Sequence, residues 1–404
     1  MTGAAPHPAA GRRRPAAAIA ALAAGTFAVG TDGFVIAGFL PQIAADLDVS
    51  VALVGQSLTV FALTYAVLAP VLAAVTATMP RRRLLVLALV VLGLADVLFA
   101  FAPSLGVVFA ARVVAASGSA MFTPIAGAVA ADLVPHRYRG RALATVITGL
   151  TVATAIGVPA GAFVAHEFGW RVAVGLVAAL CGLVAGAVTL AVPNLPGGAR
   201  VRLRARLGVV RLPAVQAILA LTVLGLGASY TVYVYAVPAF GALGVAVADT
   251  QFMLFAYGVG AVVGAQLSGL FTDRVSGARV LLVVYTMLAL VLLVAGILAT
   301  GEQRPTALVV VLATAWGAVS WSQSPPQQSR LIEVAPEDAA IVLSLNASCI
   351  YLGIGLGTFV GGLFVTHLPA GMFFSGTALA AISIIVLLAT RRVVGGSAHA
   401  KPSR

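Results

Sequence analysis

Three charged side chains lie where charge is costly: Asp32, Asp96 and Arg112 each fall inside a long apolar run, whereas the other acidic residues lie in breaks or at run ends. An ionisable group at membrane depth is a functional candidate by default, because burying it is expensive. Counted from the run ends on one common side, at 1.5 Å per helical residue, Asp32 sits roughly 12 Å deep, Asp96 roughly 9 Å and Arg112 roughly 10 Å. The three share one layer. A carboxylate there can take up and release a proton, and an arginine beside it stabilises the ionised form. Asp32 is therefore assigned as the proton carrier and Arg112 as its electrostatic partner, with Asp96 as the alternative carboxylate. The competing reading makes Asp96 and Arg112 a pair that only ties two helices together.

Binding candidates are aromatic and amide side chains. Tyr230 and Tyr233, three apart, share a helix face, and Tyr235 and Phe240 follow. Rings with polar tips suit an amphiphilic ligand. Gln56, Tyr65, Trp316 and Asn346 join them as expected cavity residues, against the alternative that such groups hydrogen-bond neighbouring helices. Gly258, Gly260 and Gly264 resemble a dinucleotide fingerprint, but no strand precedes them, so helix packing is the better reading. His166 and Glu167 stand without further metal-spaced ligands, and Cys181 and Cys349 are far apart in apolar runs, so neither a metal site nor a disulfide is expected. With no phosphate-binding loop and no grouping of nucleophile, base and orienter, neither cofactor nor catalysis is expected.

The elements that must position these residues are membrane-spanning helices. Apolar residues make up 61% of the chain and charged ones 9%, where a soluble domain carries about 25% charged residues. Apolar runs long enough to cross a bilayer of about 30 Å recur down the whole sequence. They predict helices at 16–40, 52–77, 84–102, 105–131, 142–165 and 171–192, then at 213–240, 250–271, 280–300, 306–324, 340–366 and 370–390. Of the 24 basic residues, all but Arg112, Arg171 and Arg304 lie on one side: Arg12 to Arg14, Arg81 to Arg83, Arg137, Arg139, Arg141, the arginines from Arg200 to Arg211, Arg274, Arg279, Arg330, and those from Arg391 onward. That bias places both termini in the cytoplasm. It also accounts for the formal charge of +12 without invoking nucleic acid.

The hydrophilic break at 193–211 falls near the midpoint and reads as a cytoplasmic linker between a six-helix bundle at 1–192 and another at 212–391, with a tail at 392–404. Gly161-Ala162-Phe163-Val164 resembles Gly357-Thr358-Phe359-Val360, about half a chain later. Two repeated halves with a site at their interface describe a class of secondary transporter.

The motifs resemble those of the major facilitator superfamily, in its twelve-helix drug:proton antiporter branch, over nearly the whole chain. Gly30 to Gly38 followed by Pro41 resembles the opening helix of bacterial exporters, including chloramphenicol-resistance and sugar-efflux proteins. Ala111-Arg112 through Gly118 resembles the branch's fourth-helix motif, whose arginine that resemblance implicates in proton coupling. Gly157-Val158-Pro159-Ala160-Gly161 is similar to its fifth-helix antiporter motif, and Ser344 to Ser348 with the glycines after them to its eleventh helix. Gly269, Asp273, Arg274 and, after a one-residue irregularity, Arg279 resemble the loop motif implied to gate the cytoplasmic side. The first-half copy keeps Arg81, Arg82 and Arg83 but has Ala77 for the acidic residue and Pro80 for glycine.

The resemblance implies an all-α fold of twelve helices in two pseudo-symmetric bundles. It also implies export of a drug or secondary metabolite by proton antiport, with Gly157, Pro159 and Gly161 as the hinge and Asp273 with Arg274 as a cytoplasmic latch. The expected partners are a small-molecule substrate and the lipid bilayer, with no nucleic acid, for a monomer in the inner membrane using protons as coupling ion. Efflux of sugars or polar metabolites is the alternative, and a ligand sensor that moves nothing is a remoter one.

Overall fold

The computed structural model describes residues 15–197, 208–301 and 305–399. Arg12 to Arg14, Arg304 and most of the 193–211 break lie outside the described residues. Twelve described helices are long and apolar enough to cross a membrane: α1 (Pro15–Gly38), α2 (Val51–Val75), α3 (Arg81–Ala100), α4 (Leu105–Asp132), α5 (Arg139–Phe168), α6 (Trp170–Ala191), α7 (Pro213–Tyr233), α8 (Val247–Thr272), α9 (Gly277–Thr300), α10 (Thr306–Val334), α11 (Ile341–Gly362) and α12 (Pro369–Arg391). An even number of spans puts both ends of the bundle's chain on one side, here called the terminal side. The opposite side is the far side.

Each predicted helix is present, and the breaks within them have one recurring cause. Proline lacks an N–H, and its ring collides with the carbonyl four residues back. The first helix, expected to run unbroken over 16–40, turns 3-10 at Ile36–Gly38 before the short helix Leu40–Asp46, just where Pro41 points back at Ala37. The seventh, expected over 213–240, stops at Tyr233 and resumes as Ala236–Ala242, where Pro238 points back at Val234. In α5 a π turn at Ala153–Gly157 absorbs Pro159, which points back at Ala155. The same residue type therefore bends the first helix of each half at its far end.

A proline in the first turn of a helix, by contrast, costs little, because the N–H it lacks would have no partner there. For this reason Pro325 and Pro326 do not stop the tenth helix, whose expected end was 324. A second piece begins at Ser324 and runs to Val334. Arg330, expected in a cytoplasmic break, is thus a helix residue and only 4% exposed. Arg81 to Arg83 similarly form the first turn of α3, and α5 starts at Arg139.

In each half the first helix is central. α1 packs on α4, α5 and α6, and α7 on α11 and α12. Small residues let these backbones approach, as helix association in lipid requires. A side chain at Gly161 would strike Val35 of α1, and one at Gly357 would lie 2.9 Å from the Tyr230 carbonyl carbon of α7. The repeated tetrapeptides thus serve one purpose, close packing of the fifth or eleventh helix on the first helix of its half. Large apolar residues such as Val67, Leu94, Leu183 and Ile385 are left exposed around the outside, where hydrocarbon is their solvent.

Candidate functional site

The halves meet along two seams, α2 with α11 and α5 with α8. On the first, Gln56 Nε2 donates to the Tyr235 hydroxyl at 3.3 Å and Tyr65 stacks on Tyr351 with centroids 3.6 Å apart. On the second, a side chain at Gly258 would lie 2.8 Å from the Thr154 carbonyl oxygen in the π turn. These contacts run from the far side to mid-depth. Toward the terminal side, Leu143, Ala144, Thr145, Ile147 and Thr148 of α5 are all exposed, a band wider than one lipid-facing stripe. The halves are closed on each other at the far side and apart at the terminal side.

At mid-depth α1, α3 and α4 bring their three charges together. Arg112 donates from one terminal nitrogen to Asp32 Oδ1 at 2.6 Å, with both side chains 1% exposed. The guanidinium also lies over the Phe61 ring of α2, 4.3 Å from its centroid. Asp96, 2% exposed, lies within electrostatic reach of both Asp32 and Arg112. Asp32 Oδ2, Asp96 Oδ2 and Arg112 Nε have no hydrogen-bond partner among the described residues. Arg112 thus pairs with Asp32, not with Asp96 as in the structural reading. Two carboxylates and one guanidinium would leave one negative charge uncompensated in an apolar layer, so the cluster is neutral when it holds one proton.

The cluster reaches the other half through aromatic rings. Phe61 contacts Tyr351 of α11 with centroids 6.1 Å apart, and Tyr351 lies within electrostatic reach of Asp32 and Arg112. Sequence reasoning missed Phe61 and Tyr351. The available signal was the i, i+4 spacing of Phe61 and Tyr65, which puts both on the face of α2 that meets α11.

A second cluster adjoins the first. Tyr230 and Tyr233 have ring centroids 5.2 Å apart, Tyr233 contacts Tyr257 at 4.8 Å, and Tyr257 contacts Trp316 at 4.7 Å. Phe34 of α1 completes it, 6.0 Å from both Tyr230 and Tyr233. The Tyr233 hydroxyl and the Trp316 indole N–H are buried without a partner among the described residues. Unused polar groups on aromatic walls are what an amphiphilic ligand with hydrogen-bonding groups would engage.

Not every expected cavity residue belongs there. Gln56 and Tyr65 lie in the α2–α11 seam. Asn346 lies inside the second half, accepting a hydrogen bond from Thr222 at 2.8 Å, while Gln327 donates to Thr222 at 3.2 Å and accepts from Arg330 at 3.0 Å. These side chains bond to one another, which marks them as helix glue. Asn346→Leu is expected to lower the thermal stability of the detergent-purified protein by about 1–2 kcal/mol, read as a lower unfolding midpoint, with substrate binding retained.

The glycine motif of α5 is placed against α1. A side chain at Gly157 would strike Thr31, and one at Gly161 would strike Val35. Pro159 sets the π turn that α8 packs against. On the terminal side, Asp273, Arg274 and Arg279 are exposed and make no ion pair among the described residues. Gly269 lies in the last turn of α8, its carbonyl accepting the Asp273 amide at 3.2 Å. The Arg81 amide donates to the Leu195 carbonyl at 2.9 Å and Arg82 reaches the Thr189 carbonyl at 3.4 Å. The paired Arg171 and Asp46 are on the far side.

Comparison with known proteins agrees with this architecture. The family model described as Major Facilitator Superfamily matches residues 22–241. The chain is 33% identical to the MFS-type transporter YbcL of Bacillus subtilis over 370 residues, 91% of this chain and 94% of the relative. It is 32% identical to a chloramphenicol efflux pump of Mycobacterium tuberculosis over 381 residues, 92% of this chain and 91% of the pump. Among solved structures, a D-xylose-proton symporter superposes with a TM-score of 0.75 at 16% identity, covering 94% of this chain and 98% of the symporter.

Proposed function

The chain belongs to the Major Facilitator Superfamily, and on that premise we propose that it exports a small amphiphilic molecule of the chloramphenicol type in exchange for protons. It does so from the inner membrane with both termini in the cytoplasm. The observation that carries this reading is the buried Asp32–Arg112 pair with a second buried carboxylate, Asp96, beside it.

The chemistry follows from charge balance. A proton arriving on Asp32 removes the partner that holds the guanidinium, and Arg112 is then free to move off the Phe61 ring. Phe61 rests on Tyr351 across the seam between halves, so the protonation state of Asp32 biases a contact that must break when the far side opens. Substrate occupies the aromatic cluster, where Tyr233 and Trp316 supply its hydrogen bonds. Gly157, Pro159 and Gly161 let α5 flex, and Asp273 and Arg274 act where the terminal side closes. Two observations support the amphiphile: the ring-lined cluster with unused polar tips, and the chloramphenicol efflux pump among the relatives. Polar-metabolite efflux would draw on the amides of the second half, but those are bonded among themselves.

The test is uptake of labelled chloramphenicol into inverted membrane vesicles under an imposed proton gradient. Gradient-driven uptake by the unaltered protein, lost in Asp32→Asn while exchange of labelled for unlabelled substrate persists, is the expected outcome. Uptake that ignores collapse of the gradient would sink the antiport reading and leave facilitated diffusion. Uptake that survives in Asp32→Asn and is lost in Asp96→Asn would move the carrier to Asp96.

A further inference from the structure

On the terminal side of the second half, α8, α9 and α10 enclose a cavity of about 410 Å³ that plays no part in the mechanism above. Its walls are apolar, and Leu267, Phe271, Val283 and Met287, which line it, are also exposed at the outer surface. The cavity thus opens sideways. The polar groups within it are already satisfied: Ser268 donates to the Ser322 carbonyl at 2.6 Å, and Ser322 donates to the Gly264 carbonyl at 2.9 Å. Water would find few partners there.

Glycine placement creates the cavity. In the first half Gly118 of α4 faces α3, where a side chain would lie 2.7 Å from the Ala88 carbonyl oxygen, so α3 and α4 close on each other. In the second half the glycines face a different neighbour. Gly260 and Gly264 of α8 and Gly317 of α10 bring those two backbones into contact, as a side chain at any of them would strike the opposite main chain. α9 packs chiefly on α12 and leaves a crevice beside α8 and α10.

Among the described residues, the one cationic group lining this crevice is Arg279, in the first turn of α9 at the terminal-side mouth. It is exposed and unpaired among the described residues, and the adjoining turn holds Asp273 and Arg274, so the mouth carries a net positive charge. From Arg279 to Met287 the α9 wall descends about 12 Å at 1.5 Å per residue. That is close to the depth of one leaflet, about half of a 30 Å hydrocarbon core. An apolar slot one leaflet deep, open to lipid and topped by a cation, is complementary to an anionic phospholipid.

We propose that this crevice is a binding site for one anionic phospholipid of the terminal-side leaflet, with an acyl chain along α8 and α9 and the headgroup phosphate on Arg279. The experiment is native mass spectrometry of the purified full chain, delipidated and titrated with phosphatidylglycerol or with phosphatidylcholine of the same acyl chains. One phosphatidylglycerol is expected to stay bound at activation energies that strip phosphatidylcholine. Arg279→Gln should lower its retention about tenfold, and Val283→Trp, which fills the slot, should lower it as much. Arg274→Gln, the same charge change on the adjoining turn but outside the crevice, should leave it unchanged. Equal retention of both lipids would overturn the proposal, as would equal losses in Arg274→Gln and Arg279→Gln. Displacement of the bound lipid by chloramphenicol at transport concentrations would also overturn it, since the crevice would then be a substrate entry.

Discussion

Arg112→Ala is expected to be the most damaging single substitution in the first half, lowering stability by about 3–5 kcal/mol, the usual cost of stranding one member of a buried ion pair. Asp32 loses its 2.6 Å partner, and Asp96 remains beside it without compensation. Phe61 and Phe99 also lose the guanidinium that lies over them, at 4.3 and 5.9 Å. The measurement is the unfolding midpoint in detergent, with gradient-driven transport assayed on whatever folds. A structural pair and a coupling pair differ in the double variant. Asp32→Asn with Arg112→Met removes both charges, so most of the lost stability should return, because neither partner is left stranded. Transport should not return. Recovery of both together would mean that the pair only holds α1 to α4.

The second large effect is expected at Gly258. It meets the π turn of α5 across the interface of the halves, with Ala155 backbone nitrogen at 2.9 Å from where a side chain would begin. Gly258→Val cannot be accommodated while the far side is closed, because the obstacle is main chain and not a flexible side-chain end. Overpacking costs about 1–3 kcal/mol, and 1.4 kcal/mol is a tenfold change in an equilibrium. The population should therefore move about tenfold to a hundredfold toward the state in which α5 and α8 part. Spin labels at Ala144 and Thr272, on the terminal-side parts of these helices, would report it as a shorter distance. An unchanged distance in a stable variant would count against the seam as the place where the halves rock. Pro159→Ala is the gentler companion. It removes the cause of the π turn, and the same labels should then show a narrower distribution.

Much of the fold was legible because membrane helices announce themselves through length and hydropathy. The twelve spans follow from runs of apolar residues, and the repeat was visible in Gly161 to Val164 against Gly357 to Val360. Prolines were the weak point. Pro325 and Pro326 read as a stop and proved to be a restart, which carried Arg330 from a presumed loop into the packed interior. Pro41 and Pro238 left no mark in a hydropathy run, yet each breaks its helix, because their effect is a steric clash one turn back and not a change in polarity.

Candidate charges were legible for a different reason. Charge in an apolar run is rare enough that Asp32, Asp96 and Arg112 could be listed from composition, and counting residues along each helix placed them in one layer. What the sequence alone determined about this protein is therefore its spans, its charge asymmetry and the depth of each unusual residue, all of which are properties of one helix at a time. Which side chains meet was decided only by the tertiary structure. Depth does not fix azimuth: Arg112 could face Asp96 or Asp32, and the packing of α1 against α4 turned it to Asp32. Asn346 and Tyr233 are both polar residues on buried helices, but rotation about the helix axis gives one to a neighbouring threonine and leaves the other's hydroxyl without a partner among the described residues. The crevice beside α9 is a gap between three helices, set by which neighbour each glycine faces, and no single helix encodes it.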